Sequence, residues 1–258
     1  MVTDPRMYKE FKNNVSLFVG CRNDCVYCRN TFQKQAKRRP CALCKAFEPH
    51  EHPERLEKRP NRRHMRLCGF GDISFVSDEY MKKVIEYAKK YPKTEFLVQS
   101  KNPSIFLKYE WSDNVILCAT LECDGSLVDY GKISKAEPPE KRIDVMKQLH
   151  HRKAITVEPV LDFDAKIFPL LIQDIKPEWV WVGYDSRPKK HHLQEPALEK
   201  PIELIKTLED AGITVRKKLI RKAWYEDKAE NNSMRKLGDT KERRKKKRQG
   251  DNKDNQGR

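Results

Sequence analysis

Cys21, Cys25 and Cys28 lie in the run Gly20-Cys21-Arg22-Asn23-Asp24-Cys25-Val26-Tyr27-Cys28, directly after an apolar stretch that reads as a strand. Thiolates packed at this density select zinc or an iron–sulfur cluster. Structural zinc sites pair two cysteines and find their remaining ligands far along the chain. Three cysteines in one tight loop instead suit three corners of a [4Fe-4S] cubane, leaving one iron open to a cofactor or substrate. The charged start, Met1 to Lys12, lacks the apolar stretch of a signal peptide, and no apolar run approaches the roughly 18 residues of a membrane span. The chain therefore reads as cytoplasmic, with no membrane partner and with its eight cysteines kept as thiols.

A second group, Cys41-x2-Cys44 followed by His50 and His52, has ligands of the right type and number for zinc, or for an auxiliary iron–sulfur cluster. His-x-His is tighter than the usual spacing of zinc-binding histidines, and His64 and Cys68 are substitutes within reach in sequence. The group sits in Lys34 to His64, a segment rich in Arg, Pro and His with no clean period. Unstructured loops beyond roughly 12 to 15 residues are uncommon unless functional or stapled, and a metal would supply the staple. The alternative is a basic surface excursion whose histidines only make hydrogen bonds. Cys118 reads as core, while Cys68 and Cys123, at strand ends, are candidates to return a hydrogen atom to a substrate radical. His150-His151 and His191-His192 read as exposed.

Positioning these residues requires strands that end where they begin. Short β-branched runs alternate with amphipathic stretches: strands are predicted at Val15–Gly20, Met65–Phe70, Thr94–Lys101, Val115–Glu122, Lys153–Val160, Trp179–Asp185 and Ile213–Leu219. Helices are predicted at Arg29–Lys37, Ser77–Tyr91, Asn102–Tyr109, Pro139–His151, Asp164–Asp174 and Pro196–Ala211, with Ser77 as a cap and Gly212 as a left-handed stop. The pattern predicts an α/β fold, a partial TIM-like barrel of six or seven βα units over residues 1–225. Its basic Cys/His-rich insertion, about 34–64, follows the first helix, and a disordered basic tail spans 226–258. Chemistry gathers at the carboxyl ends of such strands. In the fourth strand Ile116, Cys118, Thr120 and Glu122 should face inward and Leu117, Ala119 and Leu121 outward; in the fifth, Thr156 and Glu158 turn inward. An inward carboxylate is costly unless partnered, which marks Glu122 and Glu158 as site candidates.

The triplet, with Tyr27 in its aromatic position, resembles the hallmark of the radical S-adenosylmethionine superfamily, and the resemblance covers about Val15 to Trp224. It implies a [4Fe-4S] cluster on Cys21, Cys25 and Cys28 that chelates S-adenosylmethionine. One-electron reduction, from a partner such as flavodoxin or ferredoxin, then splits the cofactor to methionine and a 5′-deoxyadenosyl radical that abstracts a substrate hydrogen. Gly69-Phe70-Gly71-Asp72 stands where the family has Gly-Gly-Glu against the methionyl amine, with Asp72 and the interposed Phe70 as departures. By the same resemblance Gln99 and Lys101 would meet the cofactor carboxylate, Thr120 and Glu122 the ribose, and Glu158 and Gly183 the adenine region. A closer likeness is to an uncharacterised bacterial and phage family distantly similar to spore photoproduct lyase. It rests on Pro40-Cys41-Ala42-Leu43-Cys44, on Phe47 to Leu56, on Val157-Glu158-Pro159-Val160-Leu161 and on Trp179-Val180-Trp181-Val182-Gly183.

The net charge of +16 is shared between the tail, with 12 basic and 7 acidic residues, and the folded part, where Lys37-Arg38-Arg39, Lys58-Arg59, Arg62-Arg63 and Arg216-Lys217-Lys218 cluster. That is the footprint of a phosphate-rich partner, DNA or RNA, or else a solvated basic surface. The sequence thus points to radical chemistry on a nucleic acid base or nucleotide. A peptide or protein modifier and a non-catalytic zinc or iron–sulfur nucleic-acid-binding module are the rivals.

Overall fold

A computed structural model describes residues 9–29 and 31–226. Its strands are β1 (Asn13–Asn14), β2 (Phe18–Gly20), β3 (His50–Glu51), β4 (His64–Arg66), β5 (Phe70–Gly71), β6 (Glu95–Ser100), β7 (Val115–Thr120), β8 (Lys153–Val157), β9 (Trp179–Gly183) and β10 (Thr214–Lys218). Seven of them form one parallel sheet in the order β1-β4-β6-β7-β8-β9-β10. Each new strand joins on the same side of the last. A doubly wound sheet would reverse direction partway, so this order is that of a half-barrel. The helices between strands are α1 (Phe32–Ala36), α2 (Ala42–Ala46), α3 (Asp78–Lys90), α4 (Pro139–Gln148), α5 (Phe168–Ile175), α6 (Pro188–His191) and α7 (Glu199–Asp210).

The first two predicted strands give way to pairs of short ones: β1, just before the predicted Val15–Gly20, and β2 within it, then β4 and β5 around Met65–Phe70. The chain leaves the main sheet at Ser16, whose φ of 58° is left-handed, so that Phe18–Gly20 enters a second, three-stranded sheet, β3-β2-β5. Asn14 ties the divide: its side-chain oxygen accepts from Ser16 N at 2.8 Å and from Gly69 N at 3.1 Å. Gly69 must lack a side chain there, because a β-carbon would collide with the Asn14 amide. The predicted helix at Asn102–Tyr109 is a 3-10 turn over Pro103–Lys108. Asp164 caps the turn before α5, accepting from Lys166 N and Ile167 N at 2.8 and 3.0 Å. Ser77 does cap α3, accepting from Tyr80 N at 3.2 Å, and Gly212 is left-handed at φ 79°.

The inner face of the half-barrel is graded. At the amino ends of the strands Phe11, Ile116, Cys118, Ala154, Trp179 and Trp181 form an apolar plug, with Phe11 stacked on Trp179 at 6.0 Å between ring centres. The Arg216 guanidinium covers Trp179 at 4.2 Å. Towards the carboxyl ends the lining turns polar: Gln99 donates to Thr120 at 2.9 Å, and the Cys118 and Thr156 side chains meet at 3.3 Å. Leu117, Ala119, Leu121, Ile155 and Val157 are wholly buried. Contacts divide the chain after Arg221, and the tail expected over 226–258 lies, beyond Glu226, outside the described residues. Among the described residues no helix is long and apolar enough to cross a membrane.

Phe11 reaches the plug from a segment before the first strand, so removing its ring leaves a hole that no neighbour on the sheet can fill. Phe11→Ala should cost about 3–5 kcal/mol of stability in urea unfolding. A loss below about 1 kcal/mol would show that the plug closes without it.

Candidate active site

β2 ends at Gly20, and Cys21 follows at once, so the triplet loop begins at the rim of the half-barrel. Cys28 N donates to Cys25 O at 2.9 Å, closing a turn between two of the cysteines. The loop is fixed from outside: Val26 N donates to Ile133 O at 3.0 Å, and the Cys25 thiol lies 3.1 Å from the Ser134 hydroxyl. Asn23 N points at the Cys21 sulfur at 3.4 Å, a donor suited to a thiolate.

All three thiols line one cavity of about 120 Å³. With them stand Tyr27, Cys68, Gly69, Gly71, Asp72, Gln99, Lys101, Thr120 and Glu158, which the sequence pattern had scattered over five strand ends. Tyr27, Phe32, Phe70 and Glu158 also line a second cleft of about 630 Å³, so the two spaces adjoin along these residues. Lys34, Arg38, Arg39, Arg187 and Lys218 form the basic wall of that cleft, and Glu158 and Asp185 are its acids. Glu122, Gly183 and Cys123 are placed elsewhere. Gly183 pairs with Lys218 across β9 and β10, and Cys123 is wholly buried. Of the two thiols considered for hydrogen donation, Cys68 faces the cavity, its thiol pushed up by burial and by Asp72.

The carboxylates divide by their partners. Asp72 is saturated, accepting from Asn23 Nδ2 (3.0 Å), Ser100 Oγ (2.6 Å), Lys101 N (2.8 Å) and Ser74 N (3.0 Å). It ties the triplet loop to the end of β6. Glu122 is fully buried and holds four donors, the Tyr27 and Tyr130 hydroxyls, the Lys101 ammonium and Arg142, the last at 2.9 Å. Burial alone would raise its carboxyl, but Lys101 and Arg142 hold it down at about 2. Burial likewise opposes the charge of Lys101, and Cys25 and Glu122 more than offset it and push that group up. Glu158 differs: one oxygen takes the Lys218 ammonium, while Oε2 is buried with no hydrogen-bond partner. Burial pushes this carboxyl up against the pull of Lys218.

Arg142, Tyr130, Asn23, Ser100 and Ser134 were given no role by the sequence alone. Arg142 had a signal, since it shares the buried stripe of α4 with Pro139, Ile143 and Met146, where a cation needs a buried partner. His191, expected at the surface, is buried against Asp185 with its Nδ1 2.7 Å from that carboxylate. At the second predicted group, the ligand atoms of Cys41, Cys44, His50 and His52 all lie within 4.8 Å of one another.

Glu122→Gln leaves Lys101 and Arg142 buried without a counter-charge and should cost about 3–5 kcal/mol in chemical denaturation near neutral pH. The folded value lies below the ordinary 4.5, so the carboxylate's contribution is complete above that value and is lost as pH falls towards about 2. The gap between native protein and variant should therefore narrow on acidification; a gap that is constant from pH 7 to about 3 would contradict the ion-pair account.

No family model and no curated protein matches the chain. Solved structures do. A cysteine-to-alanine variant of spore photoproduct lyase with dinucleoside spore photoproduct matches with a TM-score of 0.59 and 11% identity, over 83% of this chain and 78% of that one. A second lyase variant, with bound AdoMet and the same dinucleoside, matches with a TM-score of 0.51 and 10% identity over 81% and 64%. SuiB of Streptococcus suis, bound to precursor peptide SuiA, matches with a TM-score of 0.50 and 11% identity over 81% and 49%. Both proteins are radical S-adenosylmethionine enzymes, and the half-barrel described above is similar in fold to theirs.

Proposed function

We propose that this chain is a radical S-adenosylmethionine enzyme that acts on a nucleic acid base or nucleotide. The observation that carries the reading is the convergence of Cys21, Cys25 and Cys28 on one cavity at the carboxyl ends of a parallel half-barrel, beside Glu158 Oε2, a buried acceptor with no partner of its own. Three thiol donors in a single loop fit three irons of a [4Fe-4S] cluster and leave the fourth without a cysteine from that loop. Cys21, Cys25 and Cys28 would hold the cluster, which, when bound with S-adenosylmethionine and reduced by one electron from a partner such as flavodoxin or ferredoxin, would supply radical chemistry for hydrogen abstraction.

The chain's own residues bind and orient. Gln99 and Thr120 present a linked amide and hydroxyl to the cavity, and Glu158 offers an acceptor for a cofactor hydroxyl or amine. Tyr27 is held by Glu122 and Lys101, with the Lys101 ammonium 4.9 Å from its ring centre, so the aromatic wall next to Cys28 is rigid. Cys68 places a hydrogen-bearing thiol in the same cavity. The reading also takes in a second metal, at Cys41, Cys44, His50 and His52.

The substrate class rests on the adjoining cleft, whose wall of Lys34, Arg38, Arg39, Arg187 and Lys218 suits phosphate. The dinucleoside bound by the lyase of similar fold supports the same class. A peptide substrate and a non-catalytic nucleic-acid-binding module are separate outcomes of the tests.

Anaerobic reconstitution should give a cluster that the Cys21→Ala/Cys25→Ala/Cys28→Ala variant lacks, and dithionite with S-adenosylmethionine should release 5′-deoxyadenosine from the native protein alone. No cluster and no product would refute the enzyme reading. Binding to single-stranded DNA or RNA should weaken with salt, and Lys34→Glu/Arg38→Glu should lower the salt slope by about one per cation removed. Salt-independent binding, or an unchanged slope, would move the substrate away from nucleic acid.

A further inference from the structure

The Cys/His group in the insertion lies outside the triplet cavity, yet it is carried by α2 and by β3, which pairs with the strand that delivers Cys21. Cys41 is the N-cap of α2 and Cys44 lies one turn further, so the two thiols fall on one side of a short helix. Phe47 then ends the helix in a left-handed conformation at φ 60°, and Pro49 leads into β3. His50 opens β3 and His52 follows the strand directly, and the two rings come to the same side, with their centres 4.6 Å apart. The close His-x-His spacing is therefore suited to an extended segment rather than to a helix.

The four donor atoms converge. Cys41 Sγ and Cys44 Sγ stand 3.5 and 3.4 Å from His50 Nε2, and Cys44 Sγ stands 3.4 Å from His52 Nε2. A tetrahedron with Zn–S near 2.3 Å and Zn–N near 2.0–2.1 Å has S···N edges of about 3.5 Å. Each imidazole is oriented from behind: His50 Nδ1 is 2.7 Å from the Glu48 carbonyl and His52 Nδ1 is 2.9 Å from Glu54 Oε1. These acceptors fix the proton on Nδ1 and turn the Nε2 lone pair inward, as carbonyls and carboxylates do behind metal-bound histidines. Cys44 and His52 are buried and the other two half-buried, so all four corners belong to the protein and none is left open.

We propose that Cys41, Cys44, His50 and His52 bind one structural zinc ion, and that this ion clamps β3 to β2 and so fixes the position of Cys21. The mixed two-sulfur, two-nitrogen donor set favours zinc over an auxiliary iron–sulfur cluster, which is held mainly by thiolates. The clamp is visible in the pairing: β3 runs antiparallel to β2, with Val19 opposite His50 and Phe18 opposite Glu51, and His52 N donates to Leu17 O at 2.9 Å. Gly20, at φ 97°, lies so close to the segment before β3 that a β-carbon would strike the Glu48 carbonyl. Val19, Cys44 and Phe47 share one buried cluster, against which Cys21 and Cys28 also pack. The clamp's effect on chemistry rests on Cys21 being a cluster ligand; the zinc site itself does not.

The test uses the full chain with the triplet removed, Cys21→Ala/Cys25→Ala/Cys28→Ala, so that iron at the first site cannot confuse the count. Metal analysis should find about one zinc per chain, and exchange with cobalt should give the strong visible absorption of tetrahedral Co(II) with thiolate ligands. Adding Cys44→Ala or His52→Ala should remove both signals. Because those variants lose a fold staple, the native chain serves as the second arm. Stripping zinc with a chelator should speed amide hydrogen exchange in Phe18–Gly20 by about tenfold or more, and readded zinc should restore protection. Iron with sulfide in the triplet-free chain, or the weak absorption of octahedral cobalt, would overturn the zinc assignment. Unchanged exchange at β2 after zinc loss would overturn the clamp. Neither result depends on cofactor cleavage, so failure here is distinct from failure of the radical reading.

Discussion

A carboxylate with no exposed surface has to be neutralised from every side, and Glu122 imposes that requirement on the mouth of the half-barrel. Lys101 comes to it from the end of β6, Arg142 from α4, Tyr130 from the turn before α4, and Tyr27 from the triplet loop. Four segments distant in sequence are thereby drawn to one atom group. The cost of burying the charges is large, and it is offset only while all the partners are in place. The network also sets the floor of the cavity, because Lys101 and Tyr27 show one side to Glu122 and the other to the cavity.

That floor works with the division of the first two strands. Were Val15–Gly20 a single strand of the main sheet, the triplet would continue along the barrel axis. The left-handed step at Ser16 and the Asn14 tie send β2 and β5 into the small sheet instead. Cys21 and Gly71-Asp72 then emerge side by side, with Gly20 and Gly71 paired. Asp72 completes the arrangement by gathering Asn23 and Ser100 onto its two oxygens. The thiol loop is thus held by hydrogen bonds at both ends and by apolar contact with the insertion beneath it.

Much of this was legible in the sequence, for identifiable reasons. Five strands, from Glu95–Ser100 to Thr214–Lys218, fall inside their predicted spans; β7, β8 and β9 are buried throughout and read as near-continuous apolar runs, whereas β10, at the sheet edge, is partly exposed. The inward turn of Thr120 and Thr156 followed from period two alone. The division at Ser16 was not legible, since Val15–Gly20 is an unbroken apolar run around one serine and a left-handed serine leaves no pattern. Arg142 was missed although it falls in the stripe of Pro139, Ile143 and Met146, because a cation on a helix reads as surface unless its place in that stripe is weighed. His191 was missed because its partner Asp185 lies at the end of a strand and its own helix spans four residues. The His50/His52 spacing read as tight for zinc because the two-residue strand that carries His50 is too short to leave a period in the sequence.

The two strand-end acids that line the cavity show why residue type alone does not assign a role. Asp72 stands where the resemblance places an amine contact, but four donors already occupy its oxygens, and a further ligand would have to displace one of them. Glu158 has one oxygen on Lys218 and the other buried and unpaired, so a donor arriving there displaces nothing and relieves a desolvation cost already incurred. Lys218 belongs to the basic wall of the cleft as well. A phosphate drawn to that wall would compete with Glu158 for the Lys218 ammonium, loosening the one partner the carboxylate has. Occupation of the cleft and the acceptor strength of Glu158 in the cavity are therefore linked through a single ammonium group, and the boundary between the two spaces lies at that ion pair.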